Sequence, residues 1–316
     1  MTLPIREPQL ATLVATAPEG ADWFHEQKFD GYRILAERSG HHVHLFTRRL
    51  NDWTASFPSV AAAVLRLPAK RLVLDGEVAA VTADGRTSFQ ALQGAASGAN
   101  TARLTYFVFD LLESDAGVLT SLPLVDRKAR LRELVEGAPP GDPTIVFSEH
   151  VIGRGGEFFR AACTAGLEGI VSKRPDQPYT SGRGSSWLKT KCILRQELVI
   201  GGWTEPDGKR AHIGALLVGY YDGDHLRYAG KVGTGFTTAS LAAVRSAIDR
   251  VTATHSPFEP PPKRAWTGAG VHWVEPTLVA EVAFTEWTAD GRLRHPSFKG
   301  LRTDKRARDV VREKPR

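Results

Sequence analysis

The chain has few cysteines, only Cys163 and Cys192 among 316 residues, too few and too far apart in sequence for a zinc site or a disulfide framework. That scarcity predicts a reducing, cytoplasmic setting. No run of 18 apolar residues occurs, so no membrane-spanning helix is expected. The first twenty residues, MTLPIREPQLATLVATAPEG, lack a basic stretch followed by an apolar core and do not read as an export signal. Internal repeats and low-complexity tracts are absent, and only 256–270 (SPFEPPPKRAWTGAG) is rich in proline and glycine. With 42% hydrophobic and 24% charged residues, the composition excludes global disorder.

Charge is uneven. The net +6 divides into +1 for residues 1–194 and +5 for 195–316, densest in 302–316 (RTDKRARDVVREKPR). Nucleic acid is the natural polyanionic partner for such a surface, and a solvated basic tail is the plain alternative.

The length suits about two domains. Runs rich in β-branched and aromatic residues predict strands at 31–36, 43–47, 72–81, 104–112, 144–148, 168–173 and 186–193. Helices are expected at 57–66, opened by Pro58, at 126–136, capped by Asp126, and at 155–165, ended by Gly166. Beyond Arg195 the texture becomes short strands at 196–204, 212–221, 225–232 and 278–288, with one helix at 238–250. That pattern fits a small β-barrel such as an OB-fold. The expected division is 1–194 and 195–316, with α+β content and antiparallel sheets in the first domain.

The sharpest local signal is 26-EQKFDGYR-33. Lys28 has the makings of a nucleophile, yet an ordinary lysine is neutral about one part in 2,500 at pH 7, a deficit of roughly 4.6 kcal/mol. Cationic neighbours, a metal ion or desolvation must lower its pKa, and Asp30 alone acts in the opposite sense. Lys189 and Lys191 in 186-SWLKTKC-192 alternate by two and share one strand face, where they supply positive charge.

These motifs, with further ones in a fixed order, resemble the covalent nucleotidyltransferases, most closely ATP-dependent DNA ligases of the bacterial end-joining type. KFDGYR at 28–33 is similar to the family's K-x-D-G-x-R motif. The resemblance makes Lys28 the adenylylated residue, Glu26 the reader of the adenine amine, and Arg33 a contact to the ribose and the nick. TRR at 47–49 resembles the element that grips the DNA end and points to Arg48, although the family often has Ser-Arg-Asn-Gly there. LDGEV at 74–78 carries Asp75 and Glu77, which the resemblance directs at a ribose, the DNA or a metal. YFVFDLL at 106–112 implies that Phe109 stacks on the purine. LEGIVSKR at 167–174 makes Glu168 a metal ligand, with Glu77 a weaker one, and Lys173 and Arg174 DNA contacts. WLKTK at 187–191 gives Lys189 and Lys191 to the α-phosphate, and RHPSFKGLRTDK at 294–305 gives Arg294 and Arg302 to pyrophosphate.

The resemblance implies ATP, Mg²⁺ or Mn²⁺, and nicked or broken duplex DNA as ligands. It further implies a nucleotidyltransferase domain followed by an OB-fold, joined by a hinge near 193–197 that lets the 294–305 segment approach ATP and withdraw. A monomer in the bacterial cytoplasm at the nucleoid, with a Ku-type end-binding protein or a polymerase as partner and no membrane, is expected. No N-terminal helical DNA-binding domain, polymerase or nuclease module is legible, so a minimal ligase or a ligase domain is expected. The rivals are an RNA ligase or capping-type guanylyltransferase and, from another class, a non-catalytic OB-fold nucleic-acid-binding protein. An NAD⁺-dependent ligase is disfavoured because two cysteines cannot build its zinc module.

Overall fold

The computed structural model describes residues 7–82, 87, 89–96, 102–192, 194–206 and 213–313. Contacts divide the chain into two units, Met1–Cys192 and Ile193–Lys314.

In the first unit the elements run β1 (Gln9–Leu13), β2 (Phe24–Gln27), β3 (Tyr32–Ser39), β4 (His42–Thr47), α1 (Pro58–Leu65), β5 (Arg71–Ala80) and α2 (Phe89–Ala96). They continue with β6 (Leu104–Ser114), β7 (Gly117–Val118), α3 (Leu124–Glu136), β8 (Ile145–Phe147), β9 (His150–Ile152), α4 (Gly155–Thr164), β10 (Gly169–Lys173) and β11 (Gly182–Lys191). Two sheets result, one ordered β1-β11-β10-β2-β9 and the other β4-β3-β5-β6-β7 with β8 against β6. The α+β class is as expected. The sheets are not wholly antiparallel, because β1 pairs with β11 and β8 with β6 in parallel.

The second sheet carries the core. Ile34, Leu74, Val78, Tyr106 and Val108 are buried beneath α1, whose Val60, Ala63 and Val64 form the i, i+3, i+4 stripe that a helix turns inward. Each large side chain so covered contributes about 1.5–3 kcal/mol relative to exposure. Gly76 sits where β5 meets that core closely, and a Cβ there would lie 2.5 Å from the Tyr106 ring. α3 begins at Leu124 and not at Asp126, which lies in its first turn, where a carboxylate still favours the helix dipole.

Cys163 and Cys192 form a disulfide with their Cα atoms 5.2 Å apart. This corrects the expectation of unpaired thiols. Their 29-residue separation in sequence says nothing of distance in space. α4 packs on β10, β10 pairs with β11, and the two cysteines stand at the ends of those elements. A paired Cys163 and Cys192 give no support to a reducing setting. Among the described residues no helix is long and apolar enough to cross a membrane.

The second unit comprises β12 (Leu194–Thr204), β13 (Ala215–Asp222), β14 (His225–Val232), α5 (Thr238–Ile248), β15 (Thr252–Ala253), α6 (Arg264–Thr267) and β16 (Val271–Val274). β17 (Val279–Phe284), β18 (Glu286–Trp287), β19 (Leu293–Arg294) and β20 (Ser297–Leu301) follow. β12 is the hub, pairing antiparallel with β13, β16 and β17, while β17 passes the sheet on to β20. α5 is held by a reciprocal cap between Thr237 and Ser240 and buries Val244 and Ile248. Part of the strand expected at 212–221 lies outside the described residues, as does part of the expected hinge.

Candidate active site

The first sheet of the first unit brings the sequence motifs together through register. Glu26 of β2 lies opposite Val171 of β10, and Val171 opposite Lys189 of β11. Directly opposed residues share a face, so Glu26, Val171 and Lys189 form one row across the sheet. One period on, Lys191 opposes Gly169, whose carbonyl accepts from the Lys28 backbone N–H at 3.0 Å. In the other direction, Phe24, Lys173 and Trp187 make the next row. The first, fourth and fifth motifs therefore converge on one sheet face. Gly169 is required by this approach, since at φ +151° a Cβ would sit 2.1 Å from the Thr190 carbonyl oxygen.

Lys28 Nζ donates to Glu168 Oε2 at 2.7 Å, with the lysine side chain 22% and the glutamate 6% exposed. Burial works against the ammonium, but the carboxylates of Glu168, Glu77 and Asp30 outweigh it and raise the Lys28 pKa. This is opposite to what a nucleophilic amine needs. Glu77 belongs to the other sheet, where Arg33, Glu77 and Phe107 oppose one another across β3, β5 and β6. Among the described residues no cluster of three metal-ligating side chains occurs. Two carboxylates beside a lysine fit a Mg²⁺ that completes its shell with phosphate and water, as that ion commonly does.

Glu26 is buried within a network of cations. Lys128 Nζ donates to its Oε1 at 2.8 Å, Lys173 Nζ to its Oε2 at 2.9 Å, and the Ser148 hydroxyl to Oε2 at 3.0 Å. Burial opposes the charge of Glu26, yet the two lysines hold its pKa below the usual range. Two cations share one carboxylate. Burial, together with the neighbouring Lys128, pulls Lys173 down to about 8 in spite of its contact with Glu26.

Arg33 is bound to Asp75 through Nε and Nη2, at 2.9 and 2.6 Å, and its Nη1 donates to the Gln9 carbonyl at 2.6 Å. The Tyr179 hydroxyl donates to the same carboxylate at 2.7 Å. Asp75 and Lys173 are thus interior groups, 0% and 2% exposed. In this structure each is held by a partner inside the unit, Asp75 by Arg33 and Lys173 by Glu26, and neither is exposed. Their motif positions place them on buried strands, where a charge survives only when paired.

Phe109 is half-buried, with Lys173 Nζ 4.2 Å from its ring centroid and Trp187 edge-on at 5.9 Å. Phe107, two residues earlier on the same face, stacks on Phe29 at 4.0 Å. Arg174 is at the surface, paired with Asp22 and Asp176. Arg48 lies half-buried in the turn after β4. In the second unit Arg294 pairs with Glu286 at 2.5 Å, while Arg302 is bound by Glu281 and Asp304 at 2.5 and 2.8 Å. Burial opposes the Arg302 charge, and those two carboxylates raise its pKa nonetheless.

Sequence reasoning missed Lys128 and the fully buried pair of Arg127 with Asp110, at 2.7 and 2.8 Å. A signal existed. The inward stripe of α3 is Leu124, Arg127, Lys128 and Leu131, and two cations in an apolar stripe demand buried partners. Tyr179, in irregular chain between β10 and β11, carries no such mark.

Residues 8–191 match the family model described as ATP dependent DNA ligase domain, and 209–305 match ATP dependent DNA ligase C terminal region. The chain is 42% identical over 311 residues to the multifunctional non-homologous end joining protein LigD of Pseudomonas aeruginosa, covering 98% of this chain and 36% of that one. It is 37% identical over 310 residues to the LigD protein of Mycobacterium bovis, covering 97% and 40%. The chain thus spans well under half the length of these curated relatives. A solved mycobacterial DNA ligase D complexed with ATP and MES is 34% identical, with TM-score 0.73 over 97% of this chain and 98% of that one.

Proposed function

We propose a reaction on a single premise: this chain belongs to the ATP-dependent DNA ligase family. It joins a 5′-phosphate to a 3′-hydroxyl in duplex DNA by three nucleotidyl transfers. Lys28 Nζ attacks the α-phosphorus of ATP, the bond to pyrophosphate breaks, and a phosphoramidate to AMP remains on the lysine. The 5′-phosphate oxygen of the nick then takes the AMP and frees the lysine. Last, the 3′-hydroxyl attacks that activated phosphate and AMP leaves. Division into displacements with good leaving groups lowers the barrier of an otherwise hard condensation.

The observation that carries this reading is the convergence of Lys28, Glu26, Lys189 and Lys191 on one sheet face, with Glu168 2.7 Å from the lysine amine. Phosphoryl transfer depends chiefly on positioning and charge neutralisation. Lys189 and Lys191 receive the α-phosphate oxygens. The ion pair with Glu168 fixes Nζ; as it is released the ammonium gives up a proton to solvent, and the neutral amine then attacks. Glu168 and Glu77 would hold the divalent ion, which would supply charge neutralisation at the phosphates. Glu26, once Lys128 or Lys173 yields one of its oxygens, meets the purine amine, and Phe109 or Phe107 covers the base. Arg294 and Arg302 serve pyrophosphate from the second domain, taken as 195–316. Likeness to the end-joining relatives supports broken DNA ends as the substrate, and a Ku-type protein or polymerase partner at the bacterial nucleoid is proposed with it.

Lys28→Ala tests the reading. It abolishes covalent labelling by α-labelled ATP and sealing of an ordinary nick, while sealing of a nick already carrying 5′-adenylate survives. Normal labelling of the variant refutes the assignment.

A further inference from the structure

Among the described residues Trp266 is the one aromatic side chain in the set of large apolar groups left exposed, at 37%. It stands on the short turn α6, which follows three prolines at 260–262. Its ring lies within 3° of parallel to that of Tyr228 on β14, with centroids 6.3 Å apart. Cations surround it. The Arg292 guanidinium is 4.5 Å and Lys263 Nζ 5.5 Å from the indole centroid. Arg264 is an exposed neighbour on the same turn, and Lys231 Nζ donates to the Thr267 carbonyl at 3.4 Å. Asp290 pairs with Arg292 and puts a carboxylate beside the patch.

Trp266 is partly exposed with the Arg292 guanidinium over its ring, so the patch joins an aromatic face to a group of cations. A bare phosphate would need the cations but no ring. An apolar peptide would need the ring but no cations. A nucleotide uses both, its base on the indole and its phosphate on the lysines and arginines. Duplex bases are already stacked and turn only their edges outward, whereas unpaired bases present a face.

We propose that Trp266, with Lys263, Arg264 and Arg292, binds the unpaired nucleotides of single-stranded DNA by stacking a base on the indole. The choice of DNA rests on the ligase reading above. The patch itself uses none of the residues assigned to nucleotidyl transfer.

The test is fluorescence anisotropy of the full chain with labelled short oligo(dT) and with a blunt duplex of equal length. Trp266→Ala weakens oligo(dT) binding about 5- to 150-fold and leaves duplex binding within about twofold. Trp266→Phe keeps most of the affinity, since the face is retained. Lys263→Gln lowers the dependence of log K on log salt by about 0.7 for the single strand. Should Trp266→Ala fold poorly, Trp266→Leu keeps the apolar bulk without the face and is read against the same limits. Lys28→Ala binds oligo(dT) as the parent does, which keeps a failure of ligation separate from a failure of this site. A loss on oligo(dT) under about twofold, or an equal loss on the duplex, overturns the proposal.

Discussion

Replacing Lys128 with methionine removes one cation from Glu26 while preserving the length of the side chain. Both partners are 2% exposed and lie 2.8 Å apart, so water cannot take the place of the missing charge. Removing one member of a buried ion pair costs about 3–5 kcal/mol, because the survivor is left buried and undercompensated. Glu26 keeps Lys173 and Ser148, which sets the expectation at the lower end, about 3 kcal/mol. The Ser148 carbonyl also loses a donor at 2.9 Å. Denaturant unfolding of the first unit measures this, with Arg132→Ala as control. That arginine pairs with Glu149 in the open, 40% and 68% exposed, and its loss changes stability by under about 1 kcal/mol. The double variant Glu26→Gln with Lys128→Met costs less than the two singles together by at least about 1 kcal/mol. A cost for Lys128→Met below about 1 kcal/mol, or strict additivity, refutes the claim that Glu26 is charged and held by both lysines.

Tyr179→Phe takes a donor at 2.7 Å from buried Asp75 and an acceptor from the Gln9 amide at 2.8 Å, and lowers stability by about 1–3 kcal/mol in denaturant unfolding. His150, stacked on Phe24 at 4.0 Å, is held by burial at a pKa of about 4. The unfolded chain therefore binds a proton near pH 6.5 that the folded chain refuses until about pH 4, so stability falls on acidification across that window. His150→Phe keeps the stack, and its unfolding midpoint declines less between those two pH values than that of the parent. Equal declines contradict this. Arg294→Ala slows self-adenylylation more than sealing of pre-adenylylated DNA, and equal losses count against a role at pyrophosphate.

Much of the fold was legible because periodicity survives wherever a strand or helix has one wet face and one dry. β5 and β6, thick with Leu, Val and Phe, stand within a residue or two of the segments expected. β2 was not legible. Its sequence, FHEQ, is mostly polar, and it is buried because the sheet face it builds is the site itself, with Glu26 answered by lysines distant in sequence. Motif order picked out Lys28, Glu168 and Lys189 as candidates without any geometry, and Lys28 and Glu168 lie 2.7 Å apart. It did not separate surface charges from interior ones, and so Lys173 and Asp75 were assigned to DNA although their partners lie within the unit. The disulfide was hidden for a related reason, since spacing along the chain does not report that α4 and the end of β11 flank the same strand.

The most direct measurement is peptide mapping by mass spectrometry after incubation with ATP and Mg²⁺, followed by a chase with nicked DNA. The account predicts one AMP on the peptide containing Lys28 before the chase and none after it, with sealed product formed in step. Sealing by a preparation whose Lys28 peptide never carries AMP would contradict it.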